Sequence, residues 1–312
     1  MNQDKIIKFY EKRKIYFAIS LSIFVIGIIA LFINGVQLDI QFKGGALLKY
    51  NYTGTIDENK AGDIVSKVVG RPVTTQLTED LATGDHRIIF NIAGKTGVDA
   101  KDQKTFDAEL KQTFLENNLN LSEASMVEPF FGQRFLRRGM LSILIAGVLV
   151  MLYVWIRFKM MGGLSAGVMA LIALLHDVLV VFFTCVIFKI PIGDSFVAVA
   201  LSIIGYSIND TIVIYDRIRE NNKTYIGYDV ATITNLSITQ SMMRSVMTNV
   251  AVIISVSIVY ILAFSNGIDS IQSFALPMAV GSISGCYSTI CIAGPLWVMW
   301  KKRKSGTELF KK

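Results

Sequence analysis

The sequence predicts a polytopic α-helical membrane protein: six transmembrane helices, with one α+β domain inserted between the first two. Three observations predict it. The chain has 312 residues, of which 52% are hydrophobic, and a mean hydropathy of +0.49, too apolar for a soluble domain of this size. Six apolar runs are long enough to cross about 30 Å of hydrocarbon. Charge gathers at the two termini and in residues 35–138, as expected of spans separated by aqueous segments.

The spans are expected at 15–34, 139–156, 163–188, 195–215, 245–265 and 271–299. The first, "IYFAISLSIFVIGIIALFI", is too long for the core of a secretory signal, and "NGVQLD" after it offers no small-x-small cleavage pattern. It reads as a retained helix. An even number of spans puts both termini on one side, and the Lys and Arg residues beside the spans say which. Residues 1–14 carry Lys5, Lys8, Lys12, Arg13 and Lys14. Arg157 and Lys159 follow the second span, and Arg217, Arg219 and Lys223 lie in the connection 216–244. The tail 300–312 adds Lys301 to Lys304 with Arg303. That side is expected to be cytoplasmic, which leaves 35–138 extracytoplasmic. Arg134, Arg137 and Arg138 run against the rule, although a long preceding domain weakens it there. The net charge of +7 is thus explained by membrane orientation rather than by nucleic acid.

Within 35–138, "GALLKYNYT", "VTTQLT", "RIIFNIA" and "ASMVEPFF" have strand patterns, and "DENKAGDIVSKVV" and "DQKTFDAELKQTFLEN" have helical spacing. A turn is expected at Gly84-Asp85. The order β-α-β-β-α-β predicts a ferredoxin-like unit. No catalytic set is evident in it: His86 stands alone beside a turn, with no nucleophile, base or phosphate loop near it in sequence. Cys185, Cys286 and Cys291 all sit in apolar runs and behave as small buried hydrophobes, with neither disulfide nor metal spacing. No motif calls for a cofactor or a metal.

The spans hold the chemistry. The third carries His176-Asp177 near mid-membrane, and the fourth carries Ser202, Gly205, Tyr206, Asn209 and Asp210. Tyr206, Ser202 and Asn209 suit packing or hydrogen bonding between helices. An acid is too short to snorkel, so Asp177 and Asp210 must each pair, protonate or face water, and intramembrane acids mark function by default. Asp210 is expected roughly 8 Å inside the cytoplasmic end of its helix. If the fifth helix starts before Gln240, Arg244 reaches a similar depth, where it either snorkels to the interface or answers Asp210. Hydrocarbon surroundings favour an uncharged acid and an approaching arginine favours a carboxylate, so helix movement could load and release a proton. Gly163 and Gly167, and Gly281 and Gly285, have the spacing of close helix contacts, and Pro277 and Gly294-Pro295 predict kinks. Residues 224–240 could form an amphipathic helix on the inner surface.

The run "VALSIIGYSINDTIVIYDRIREN" closely resembles the fourth-span motif of the SecF family of bacterial protein-export membrane subunits. "LLHDV" resembles its His-Asp motif, and "QFKGG" its Asp-Phe-x-Gly-Gly element. The likeness covers essentially the whole chain. It implies an RND-type half that pairs with a SecD half in the cytoplasmic membrane and associates with the SecYEG channel and other Sec accessory subunits. Such a complex uses the proton-motive force to draw translocating preproteins outward after SecA has pushed them. It also implies a proton relay on Asp210 and Arg244, with Asp177, His176 and Asn209 in the matching motifs. Gln41 stands where the family has an acid, and Asp39 lies two residues earlier; Gly44 and Gly45 allow a bend as the chain leaves the membrane, and Gly205 is a candidate hinge. Competing readings are a half-transporter for a small molecule or lipid, and a membrane scaffold that moves no protons. An intramembrane protease lacks any zinc-ligand pattern.

Overall fold

The computed structural model describes residues 6–39, 45–79, 86–93, 98–127, 129–266 and 268–309. Gln41, Gly44 and the Gly84-Asp85 turn lie outside them. Six helices are long and apolar enough to span a membrane. They are α1 (Arg13–Asn34), α4 (Pro129–Arg157), α5 (Gly163–Ile187), α6 (Asp194–Thr224), α7 (Val230–Ser265) and a last, compound helix. This last one runs as α8 (Asp269–Ser288), a π-turn at Thr289–Ala293, and α9 (Gly294–Leu309).

Between α1 and α4 lies the sheet domain: β1 (Gly45–Tyr52), α2 (Glu58–Val69), β2 (Val73–Glu79), β3 (His86–Ala93), α3 (Ala100–Thr113) and β4 (Asn120–Val127). The strands form one antiparallel sheet in the order β2-β3-β1-β4, the ferredoxin-like arrangement expected from the sequence. Alternation along β1 buries Ala46, Leu48, Tyr50 and Tyr52 against Val65, Phe106 and Leu110 of α2 and α3, and Ile88, Phe90 and Ile92 join from β3. Gly45 enters β1 at φ +134°, a conformation that favours glycine and fits the expected bend. His86 is the first residue of β3 rather than a loop residue, and its ring stacks on Tyr52 at 5.5 Å. Burial, with Asp107 alongside, holds the Tyr50 phenol above its ordinary range, so it stays a neutral core group.

α5 packs against α1, α4, α6 and α8, and α8 packs against α5, α6 and α7. α1, α4 and the later part of α7 turn large apolar side chains outward, among them Leu21, Phe32, Leu144, Ile156, Ile254 and Leu262. An exposed apolar girdle of this extent is what a lipid-facing surface requires. The paired glycines sit at close approaches. A Cβ at Gly281 would lie 2.7 Å from Val181 Cγ2 and 2.8 Å from Ile203 Cγ1, and one at Gly285 would lie 3.3 Å from Ser207 Cβ.

The helices outrun their expected bounds in several places, α9 among them, which runs on to Leu309. α4 begins at Pro129, ten residues before the apolar run at 139, because proline suits a first helical turn and nothing after it stops the helix. Arg134, Arg137 and Arg138 therefore lie on a helix rather than in the α+β domain. The expected connection 216–244 shrinks to 225–229: α6 continues to Thr224, supported by Asp216–Arg219 and Arg217–Glu220 ion pairs at i,i+3. α7 starts at Val230, and its first part is core rather than a surface helix. There Ala231, Ile233, Thr234, Ser237 and Ile238 are buried, and Asn221 Nδ2 donates to Ser237 Oγ at 2.8 Å. Finally, α8 passes through Pro277, and the break in the sixth span falls instead at the π-turn ahead of Pro295, whose missing N–H cannot close an ordinary helical bond.

Phe106→Ala should cost the sheet domain about 3–5 kcal/mol. Hydrogen exchange at the β1 and β3 amides reads this; unchanged exchange would remove Phe106 from the core.

Candidate functional site

Helical spacing puts Ser207, Asp210 and Thr211 on one face of α6, turned into the bundle. Asp210 is 5% exposed and Asp177, on α5, is 0% exposed. Each carboxyl has its own set of partners, and the two sets differ sharply.

Asp177 is saturated. Ser284 Oγ donates to its Oδ1 at 2.6 Å, and Ser207 Oγ and Ser288 Oγ donate to its Oδ2 at 2.8 and 2.7 Å. His176 Nδ1 lies 3.2 Å from Oδ1. One side chain thereby ties α5 to α6 and α8. The knot is drawn tighter by Thr211 and Thr289, whose hydroxyls are 3.1 Å apart and both donate to the Ser207 carbonyl. His176 Nε2 is buried without a hydrogen-bond partner among the described residues, its ring set between Phe24 and Tyr287. Tyr287 in turn donates to the Tyr16 carbonyl at 2.6 Å and lies 3.1 Å from Ser20 Oγ, both on α1.

Asp210 is lightly held. Asn249 Nδ2, on α7, donates to its Oδ2 at 2.7 Å. Ser245 brings a buried hydroxyl to the same carboxyl without closing a hydrogen bond onto it, and Cys286 of α8 lies alongside. α7 does start before Gln240, as Arg244 required, but the residue level with Asp210 is Asn249. Arg244 stands five residues, about 7.5 Å, nearer the start of α7. Its exposed guanidinium acts on Asp210 electrostatically but makes no ion pair within 4.0 Å among the described residues.

Asn209 is not gathered with these groups. It sits on the outward face of α6 with Leu201, Ser202, Gly205 and Tyr206, where together they line a shallow open groove. These residues form one stripe at spacings of three and four, and Asp210 points the other way. α6 runs unbroken through Gly205, and nothing among the described residues lies within 4 Å of the place of its missing side chain.

The sequence reading missed Asn249, Ser245, Ser207, Ser284, Ser288, Thr211 and Thr289. Their signal was present: Ser207/Thr211, Ser245/Asn249 and Ser284/Ser288 are polar i,i+4 pairs on three apolar helices, each pair on one face.

A six-span bundle that encloses acidic side chains in hydroxyl and amide partners, with a ferredoxin-like domain after its first helix, defines a multi-pass membrane protein of the transport type rather than a membrane anchor. The SecD/SecF C-terminal family of protein-export membrane proteins matches residues 106–303. The chain is 29% identical over 305 residues to the protein translocase subunit SecF of Petrotoga mobilis, covering 97% of this chain and 98% of that one. It is 32% identical over 292 residues to SecF of Alicyclobacillus acidocaldarius, covering 92% and 91%. The crystal structure of the translocon-associated membrane protein SecDF from Thermus thermophilus shares the fold, with a TM-score of 0.79 at 24% identity over 97% of this chain; this chain spans 40% of that one. The chain belongs to the SecD/SecF family, on its SecF side.

Removing Asp177 takes the acceptor from the buried Ser207 and Ser284 hydroxyls, at a cost of about 1–3 kcal/mol each, and leaves Ser288 with the Gly285 carbonyl, whereas on removal of Asp210 the Asn249 amide keeps its bond to the Ser245 carbonyl. Asp177→Ala should therefore lower the thermal unfolding midpoint in detergent more than Asp210→Ala does. An equal or reversed order would refute this contrast between the carboxyls.

Proposed function

We propose that this chain acts as a non-enzymatic subunit of the Sec protein translocase of the bacterial cytoplasmic membrane, using the proton-motive force to promote late steps of preprotein translocation. The observation that carries the proposal is the setting of Asp210: an enclosed carboxyl latched by a neutral donor, Asn249, with a cation, Arg244, that has no ion pair among the described residues, a turn and a half along the same helix as Asn249. A carboxyl that exchanges Asn249 for Arg244 exchanges a neutral partner for a charged one. Sliding α7 against α6 while turning it by about 140°, the angle that five helical residues subtend, does it, and a proton taken up or given off in that step links the motion to the gradient. The membrane potential supplies about 2.3 kcal/mol per elementary charge per 100 mV. Asp177 and His176 form the fixed side of this relay, holding Ser207 and hence α6 in register one turn from Asp210.

Partners follow from the same helix. The outward stripe of Ser202, Gly205, Tyr206 and Asn209 is too polar to face lipid, and a second six-span half covers it in our reading. In this family that half is SecD, with the SecYEG channel and the moving preprotein beside the pair. The basic ends of the spans support a reading with both termini in the cytoplasm and the sheet domain outside.

Reconstitution with SecD, the channel and a translocating preprotein tests this. Wild type should complete translocation faster with a proton gradient than without one. Asp210→Asn and Arg244→Met should lose that difference while still inserting and folding. Full gradient stimulation in Asp210→Asn would end the proton-driven reading.

A further inference from the structure

The chain leaving α1 does not run straight into the sheet domain. It first pairs with the turn between α5 and α6: Ile192 N donates to the Gln37 carbonyl at 2.8 Å and Asp39 N to the Ile192 carbonyl at 3.0 Å, making a parallel bridge centred on Leu38 and Ile192. The clip is anchored on both sides. Asn34 Nδ2 donates to the Val186 carbonyl at 3.1 Å. Leu38 packs with Ile192, Phe196 and Val199 in an apolar cluster at the outer end of the bundle.

The clip aims one carboxylate. Gly193 is the N-cap residue of α6 and brings no side chain of its own to its first turn. Asp39 fills that place: a Cβ at Gly193 would lie 2.8 Å from Asp39 Oδ2 and 3.1 Å from Asp39 Cγ. The φ of Gly193 is −138°, within reach of any residue, so the close approach of Asp39 is what requires glycine here. The start of a helix carries positive charge from its unpaired N–H groups, and an anion set against it is stabilising. Asp210 lies on the same unbroken helix, 16 residues beyond Asp194, or about 24 Å.

We propose that Asp39 is a positioning residue, a cap supplied to α6 from outside the helix. Through the Leu38–Ile192 bridge it ties the sheet domain to the helix that bears Asp210. Displacement of α6 along its axis is passed to the chain that enters β1 six residues after Asp39. The coupling half of this inference rests on the proton-driven reading above; the capping half does not.

The experiment has two arms on the full-length protein. In the first, hydrogen exchange in the opening turn of α6 is compared between wild type and Asp39→Ala. Exchange about fivefold faster in the variant is expected from loss of an anion at a helix start; equal exchange overturns the cap whatever the protein does. In the second, gradient-dependent completion of translocation is measured with Cys185 and Cys291 replaced by alanine and Cys286, which lies beside Asp210, kept. Asp39→Ala should lose it, and adding Leu38→Cys and Ile192→Cys, closed by an oxidant, should restore it until a reductant is added. A merely destabilised protein would not respond to closing and opening that bond. If exchange rises but gradient-dependent completion stays at the wild-type level, the coupling is overturned and the cap stands. If wild type itself ignores the gradient, the proton-driven reading falls and takes the coupling with it, while the exchange arm still decides the cap.

Discussion

A carboxyl group enclosed by helices that face hydrocarbon has to find its hydrogen bonds within the bundle, because water cannot supply them at that depth. Asp177 meets this requirement with serines from two other helices, and much of the arrangement follows. α5, α6 and α8 must come close enough for side chains as short as serine to reach one point. The glycines at 281 and 285 allow that approach. Once the three helices are tied, Ser207 is fixed, and the position of Asp210 one turn later is fixed with it. Dispersion and shape complementarity then fill the rest of the bundle.

Asp210 obeys the same requirement at its minimum. One amide from α7 satisfies one oxygen, and the nearby Ser245 hydroxyl is left over. α7 is a suitable helix for a partner that moves. Its first third is gripped by the bundle and by the N-terminal segment, where Asn235 accepts from Tyr10 N and donates to Glu11. Its later part is mostly outward-facing. A helix held at one end and loosely packed beyond it has low-cost displacements near the transition between the two, and Arg244, Ser245 and Asn249 lie there.

The apolar runs, the β-α-β-β-α-β order and the presence of two aspartates inside the spans were legible in the sequence, since each is a pattern local to one segment. The ends of α4, α6 and α7 were not, because hydropathy reports where a helix meets lipid and not where it stops; Asp216, Arg217 and Arg219 read as a solvated boundary while lying mid-helix. Pairing between helices was the other limit. A depth estimate matched Asp210 with Arg244 because both are charged, and the polar residue level with it is Asn249. Ser207, Ser284 and Ser288 are individually unremarkable and gain meaning only where three helices converge. Gln41, which breaks the Asp-Phe-x-Gly-Gly pattern, left the acid of that element unassigned, and only the fold shows that Asp39 reaches the start of α6.

The π-turn at Thr289–Ala293 inserts one residue into the count of the sixth span. Each helical residue advances the side-chain direction by about 100°, so everything after Ala293 is rephased by that amount relative to an uninterrupted helix. Upstream, Ser284, Ser288 and Thr289 face α5 and α6. Downstream, Trp297 meets Tyr215, with ring centroids 6.5 Å apart, and Gly294 abuts Ile238 and Thr234 of α7. One continuous rod thus keeps two different rotational settings, and a single-residue deletion in the wide turn would swing its tryptophan-bearing end away from its socket while leaving the serine end in place.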